Sequence, residues 1–148
     1  MNLVNKLLRV PEEFESTDNK KMYEPMGLNF YSSFLFLLPT FYSYKNKQYH
    51  VSIGSGFVFI ISILNHGTYN STLNMLDKLF SILCICYFSI TYASLNIYFF
   101  LSILITIISL TEFIYFKSSY HPTHAVQYHS IIHIMTSMGI LLLIESKK

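Results

Sequence analysis

Charge is what this sequence has least of. Lys, Arg, Asp and Glu together make up 12% of its 148 residues, about half of what a soluble domain needs to cover its exterior. Hydrophobic residues make up 52% and the mean hydropathy is positive, so lipid is the expected solvent for most of the chain. The net charge of +2 decides nothing about nucleic acid, but no basic run is available to follow a phosphate backbone, so no nucleic acid partner is expected. Cysteine is nearly absent. Cys84 and Cys86 lie two apart in an apolar run, a spacing that points them apart on a helix; this excludes a disulfide or metal pair and leaves two small buried side chains. No secretory signal is expected, because Lys6 and Arg9 are followed by Glu12, Glu13, Glu15 and Asp18 rather than by an apolar core.

What is abundant is apolar sequence cut into helix-sized lengths. Residues 1–25 form a polar tail, with Leu3, Val4, Leu7 and Leu8 at helical spacing for a short helix on a membrane surface; a partly ordered tail is the alternative. Residues 26–146 read as one transmembrane helical domain, with spans over 28–44, 51–66, 76–94, 97–116 and 125–145. Pro39 predicts a kink in the first span, and Gly54, Ser55, Gly56 and Ser62 give the second a small-residue face for close helix approach. Gly67 is placed to terminate that second helix. Asp77 and Lys78 fall in the first turn expected for the third span, where the helix dipole alone would favour a carboxylate. Residues 117–124 read as a polar loop. The expected fold class is therefore all-α, a polytopic bundle of about five helices. The lysine pairs Lys45/Lys47 and Lys147/Lys148 favour a cytoplasmic C-terminus. Asn70-Ser71-Thr72 fits the glycosylation pattern and would face outward.

The chemistry gathers at the rims of these spans. His66 ends the second, and His129 and His133, four apart, share one face of the fifth. With five crossings, the end of the second span and the start of the fifth lie at the same membrane face, so the three imidazoles can meet. Three neutral nitrogen donors are the number a catalytic zinc uses while keeping a position for water, whose pKa then falls to about 7. Asp77, eleven residues after His66, can act as general base, and Ser62, one turn before His66, can donate to a developing oxyanion. Glu112 lies on the same side as a candidate supporting carboxylate or an interfacial one. His121 and His124 sit in the adjacent loop, and His50 is on the far side and is excluded.

The pattern Ser62-x-x-x-His66, Leu76-Asp77, Gln127-Tyr128-His129-x-x-x-His133 and Gly139 resembles the signature of the CREST superfamily, which groups alkaline ceramidases, lipid-remodelling hydrolases and adiponectin receptors. The resemblance covers roughly residues 28–143 and implies a shortened version of a seven-helix fold, with zinc on His66, His129 and His133. It also implies that Asp77 and Ser62 contact the attacking water and the scissile carbonyl. Two helices fewer are expected between the Asp77 helix and the His-x-x-x-His helix, so the wall around an acyl chain is absent or comes from a second copy in a homo-oligomer. The acidic cluster Glu12, Glu13, Glu15, Asp18 and Glu24 resembles an N-terminal calcium site, with different spacing. The expected function is zinc-dependent hydrolysis of an amide or ester bond in a membrane lipid. The alternatives are a non-catalytic zinc-binding membrane protein, structural or signalling, and a transporter component whose histidines relay protons.

Overall fold

The structure, a computed structural model, describes residues 27–68, 70–93, 96–118 and 122–147. The N-terminal tail with its surface helix and acidic calcium cluster lies outside the described residues, as do His121 and the side chains of Glu112 and His124. Among the described residues every regular element is helical and no strand occurs.

The first apolar segment is three pieces end to end. Helix α1 covers Leu28–Ser33, a 3-10 turn covers Phe34–Phe36, and α2 covers Leu37–Lys45. The tightening falls one turn before Pro39, whose ring has no N–H for the Leu35 carbonyl and crowds it; a 3-10 turn is the local solution. A short turn follows in which Lys47 takes a positive φ of 59° and the Gln48 N–H donates to Ser43 O at 2.9 Å.

Helix α3 (Tyr49–Thr68) carries straight through the position expected to stop it. Gly67 does not adopt a positive φ and instead lies inside the last turn against the Phe30 ring. Helix α4 (Ser71–Thr91) begins earlier than the apolar run suggests, because Asn70 caps it: its Oδ1 accepts from Thr72 N at 2.9 Å and Leu73 N at 3.3 Å. Asp77 is thereby carried past the first turn, and the helix dipole no longer accounts for it. Helix α5 (Ile97–Ser118) opens with Asn96 Oδ1 accepting from Tyr98 N at 2.9 Å. Helix α6 (Pro122–Glu145) starts on a proline, whose missing N–H costs nothing at a first helical position. Residues 122–124 therefore belong to α6 rather than to the loop, His124 included.

Helix α3 packs between the α1–α2 segment and α4, and α6 packs between α1–α2 and α5. The buried core comprises Phe36, Val51, Val58, Phe88, Tyr92, Ile140, Leu143 and Ile144. Small residues set the helix spacing. A Cβ on Gly54 would meet Phe88 Cζ at 2.6 Å, so the α3–α4 seam closes only over a glycine. On the α5–α6 seam Ser102 Oγ donates to Gly139 O at 2.8 Å. Thr40, Ser52 and Ser55 tie α2 to α3 in the same manner. Among the described residues two helices, Tyr49–Thr68 and Thr72–Thr91, are long and apolar enough to cross a membrane.

Candidate metal centre

The bundle alternates direction, so the start of α1, the end of α3, the start of α4 and the start of α6 share one end. His66, one turn from the end of α3, meets His129 and His133 from α6 there. The ring centroids lie 4.9 Å (His66–His129), 5.3 Å (His66–His133) and 4.8 Å (His129–His133) apart. One nitrogen from each ring can be chosen so that all lie within 4.8 Å of one another. His66 and His133 are buried, at 4% and 5% exposure. The three sequence-expected histidines thus form a group that can hold a metal ion.

The donor chemistry fits. Nitrogens around a tetrahedral zinc at ~2.0–2.1 Å are roughly 3.3 Å apart, so ring rotations that close up to about 1.5 Å bring the three onto a common ion. The two rings of α6 are fixed relative to one another by their one-turn spacing, and His66 closes the triangle from a helix more than sixty residues earlier.

Asp77 arrives from α4. Its Oδ2 stands 3.8 Å from His66 Nε2 and accepts a 2.9 Å hydrogen bond from Asn65 Nδ2. Both side chains are buried. Asn65 and Asp77 together bridge α3 to α4 beside the histidines.

Ser62 is buried, and its hydroxyl lies 3.0 Å from Ser33 Oγ. The proton traffic in this pair is set elsewhere: Ser33 Oγ donates to Asn29 O at 2.7 Å, so Ser33 accepts and Ser62 donates. The Ser62 proton is therefore directed at α1 rather than at the imidazoles, and only its lone pairs are available to the site.

Sequence reasoning missed the contribution of α1. Ser32 Oγ lies 2.8 Å from His133 Nδ1, Ser130 Oγ donates to Asn29 Oδ1 at 2.8 Å, and the Phe36 ring lies against His133 at 5.4 Å. The signal was available: Asn29, Ser32 and Ser33 stand at i, i+3 and i+4, a polar stripe on an otherwise apolar helix.

His50 lies at the opposite end, where its Nε2 is 2.9 Å from Tyr92 Oη, in line with its exclusion from the site.

No protein family, curated protein or solved structure matches this chain. What the centre can do therefore rests on its own geometry: three nitrogen donors, an adjacent carboxylate held by an amide, and a ring of hydroxyls supporting them from a third helix.

Proposed function

We propose that this chain is an integral membrane hydrolase that uses zinc on His66, His129 and His133 to cleave an amide or ester bond in a membrane lipid. The observation that carries the reading is the convergence of imidazoles from α3 and α6 within 4.8 Å, with a buried carboxylate beside them. Buried ionisable groups in so apolar a chain are expensive and are retained where they serve a function. The proposed bundle is polytopic, with all five apolar segments crossing; α5 and α6, at 22 and 24 residues, match the roughly 30 Å hydrocarbon core at about 1.5 Å per residue.

Zinc in such a site supplies Lewis acidity and brings the pKa of a bound water to about 7. The protein's own groups do the rest. Asp77 Oδ2 accepts the proton of the attacking water and is held in place by Asn65. Ser62, whose proton points to Ser33, offers lone pairs to orient that water and turns its hydroxyl to the substrate oxygen only by releasing Ser33. The site's place at one end of the bundle matches the depth of a lipid's amide or ester, while the exposed apolar faces of α4 and α5, including Ile82, Leu83, Leu104 and Ile107, suit its chains.

The test is elemental analysis of detergent-purified protein followed by hydrolysis of a fluorogenic long-chain N-acyl amide and the matching ester in mixed micelles. About one zinc per chain is expected, lost in the His129→Ala/His133→Ala protein. Asp77→Asn is expected to keep the zinc and lose at least a hundredfold in turnover. The engaged Ser62 proton favours a second reading, a zinc site without catalysis; zinc-replete wild-type protein inactive on both substrates would support it, whereas metal-free protein would remove both readings.

A further inference from the structure

The metal reading proposed above leaves open why His133 would present the correct ring nitrogen, and Ser32 near the end of α1 supplies a reason. A neutral imidazole has one N–H and one bare nitrogen, and only the bare one can bind a metal. Ser32 Oγ has a single proton and two neighbours, Asn29 O at 3.1 Å and His133 Nδ1 at 2.8 Å. The carbonyl can only accept. When the hydroxyl proton goes there, the short contact to Nδ1 requires that nitrogen to be the donor.

We infer that Ser32 is a positioning residue: it accepts the Nδ1–H of His133, fixes the ring's tautomer and leaves Nε2 as the bare nitrogen that binds the metal. Two further contacts hold the geometry. Phe36, one turn after Ser32, packs against the same ring. Asn29, one turn before, accepts from Ser130 on α6, so α1 grips α6 at two points three residues apart on each helix and holds the serine opposite His133. The same device runs in parallel at Ser33, whose proton also goes to Asn29 O and whose oxygen then receives Ser62. One backbone carbonyl thus sets the direction of both hydrogen bonds by which α1 touches the site.

Nitrogen-15 NMR on metal-free, histidine-labelled protein in detergent reads the tautomer directly, with His133 assigned from its loss in His133→Gln. The expected result is a protonated Nδ1 and a bare Nε2. Ser32→Ala is expected to mix the tautomers and weaken zinc binding ten- to a hundredfold in chelator competition, as loss of a supporting partner does at other metal sites. Ser32→Thr, which retains the hydroxyl, is expected to restore both. Ser43→Ala removes another buried hydroxyl far from the site, bonded to Pro39 O, and is expected to leave zinc affinity unchanged. A bare Nδ1 in the wild type overturns the inference, as does wild-type zinc affinity in Ser32→Ala or an equal loss in Ser43→Ala. These outcomes leave zinc binding itself standing. A wild-type protein that binds no zinc sinks the hydrolase reading and the metal-binding half of this inference, and the metal-free spectrum then decides only whether Ser32 fixes the tautomer.

Discussion

Asn65 shows how a single amide can govern a carboxylate. Its Nδ2 donates to Asp77 Oδ2 at 2.9 Å in a buried setting, which holds in place the same oxygen that stands 3.8 Å from His66 Nε2. Asn65→Leu keeps the volume and removes the donor, leaving a buried acceptor unmet at a cost of about 1–3 kcal/mol. Thermal unfolding in detergent should show the loss, and Asn65→Gln should recover little of it because the longer side chain misplaces the amide. At this scale the sequence was legible where residue chemistry is rare. Three histidines and an aspartate stand out in an apolar chain. Asn65, Ser32 and Ser33 did not, because asparagine and serine are common throughout this sequence and their significance comes from which helix they face. Asp77 was legible as a residue but not in its place. The reading that the helix dipole explains it fails because Asn70 starts α4 one turn and a half earlier than the apolar run does.

Between elements, the seams are made by side chains too small to separate the backbones. Phe88 is among the most deeply buried large side chains, and it fits because Gly54 faces it with no Cβ. Gly54→Leu should overpack the α3–α4 seam and cost about 1–3 kcal/mol, and Phe88→Ala should open a cavity and cost about 3–5 kcal/mol. The double substitution should be less destabilising than the sum, because the new leucine enters space the ring has vacated. Chemical unfolding of all four proteins measures this; strict additivity would mean that the two residues do not share a seam. The small-residue face of α3 was readable from Gly54, Ser55 and Gly56, since little else explains such residues in an apolar helix. Its partners were not readable, because periodicity reports that a face exists and not which helix covers it. The same limit applies to α1, whose contacts with α6 span about a hundred residues. The break ahead of Pro39 was legible, since proline acts on its own helix.

Among the described residues, the histidine, carboxylate and amide side chains gather at two ends, with hydroxyls bonded along the seams between them. One holds the histidines, Asp77 and the α1 hydroxyls. The other joins Tyr92 to Gln48 and His50, Gln48 to the Ile144 carbonyl, and Tyr42 to Glu145, with Lys147 over the Tyr92 ring. Between them the outer surfaces of α4 and α5 expose Leu83, Leu101, Leu104 and their neighbours, a distribution that suits lipid and would leave a large apolar area against water. If the bundle crosses a bilayer, these two ends face opposite compartments, because α3 runs from Gln48 at one to His66 at the other. Single cysteines test this without reference to catalysis. Lys45→Cys places a thiol on an exposed residue at the end of α2, and Thr72→Cys places one on an exposed residue at the start of α4. The natural Cys84 and Cys86 lie mid-helix, where a membrane-impermeant maleimide should not reach them. In sealed vesicles of one orientation, each introduced thiol should react with that reagent from one side only, and the two from opposite sides. Labelling of both from the same side would show that α3 does not cross, and the histidine centre would then have to be understood without a lipid's headgroup region beside it.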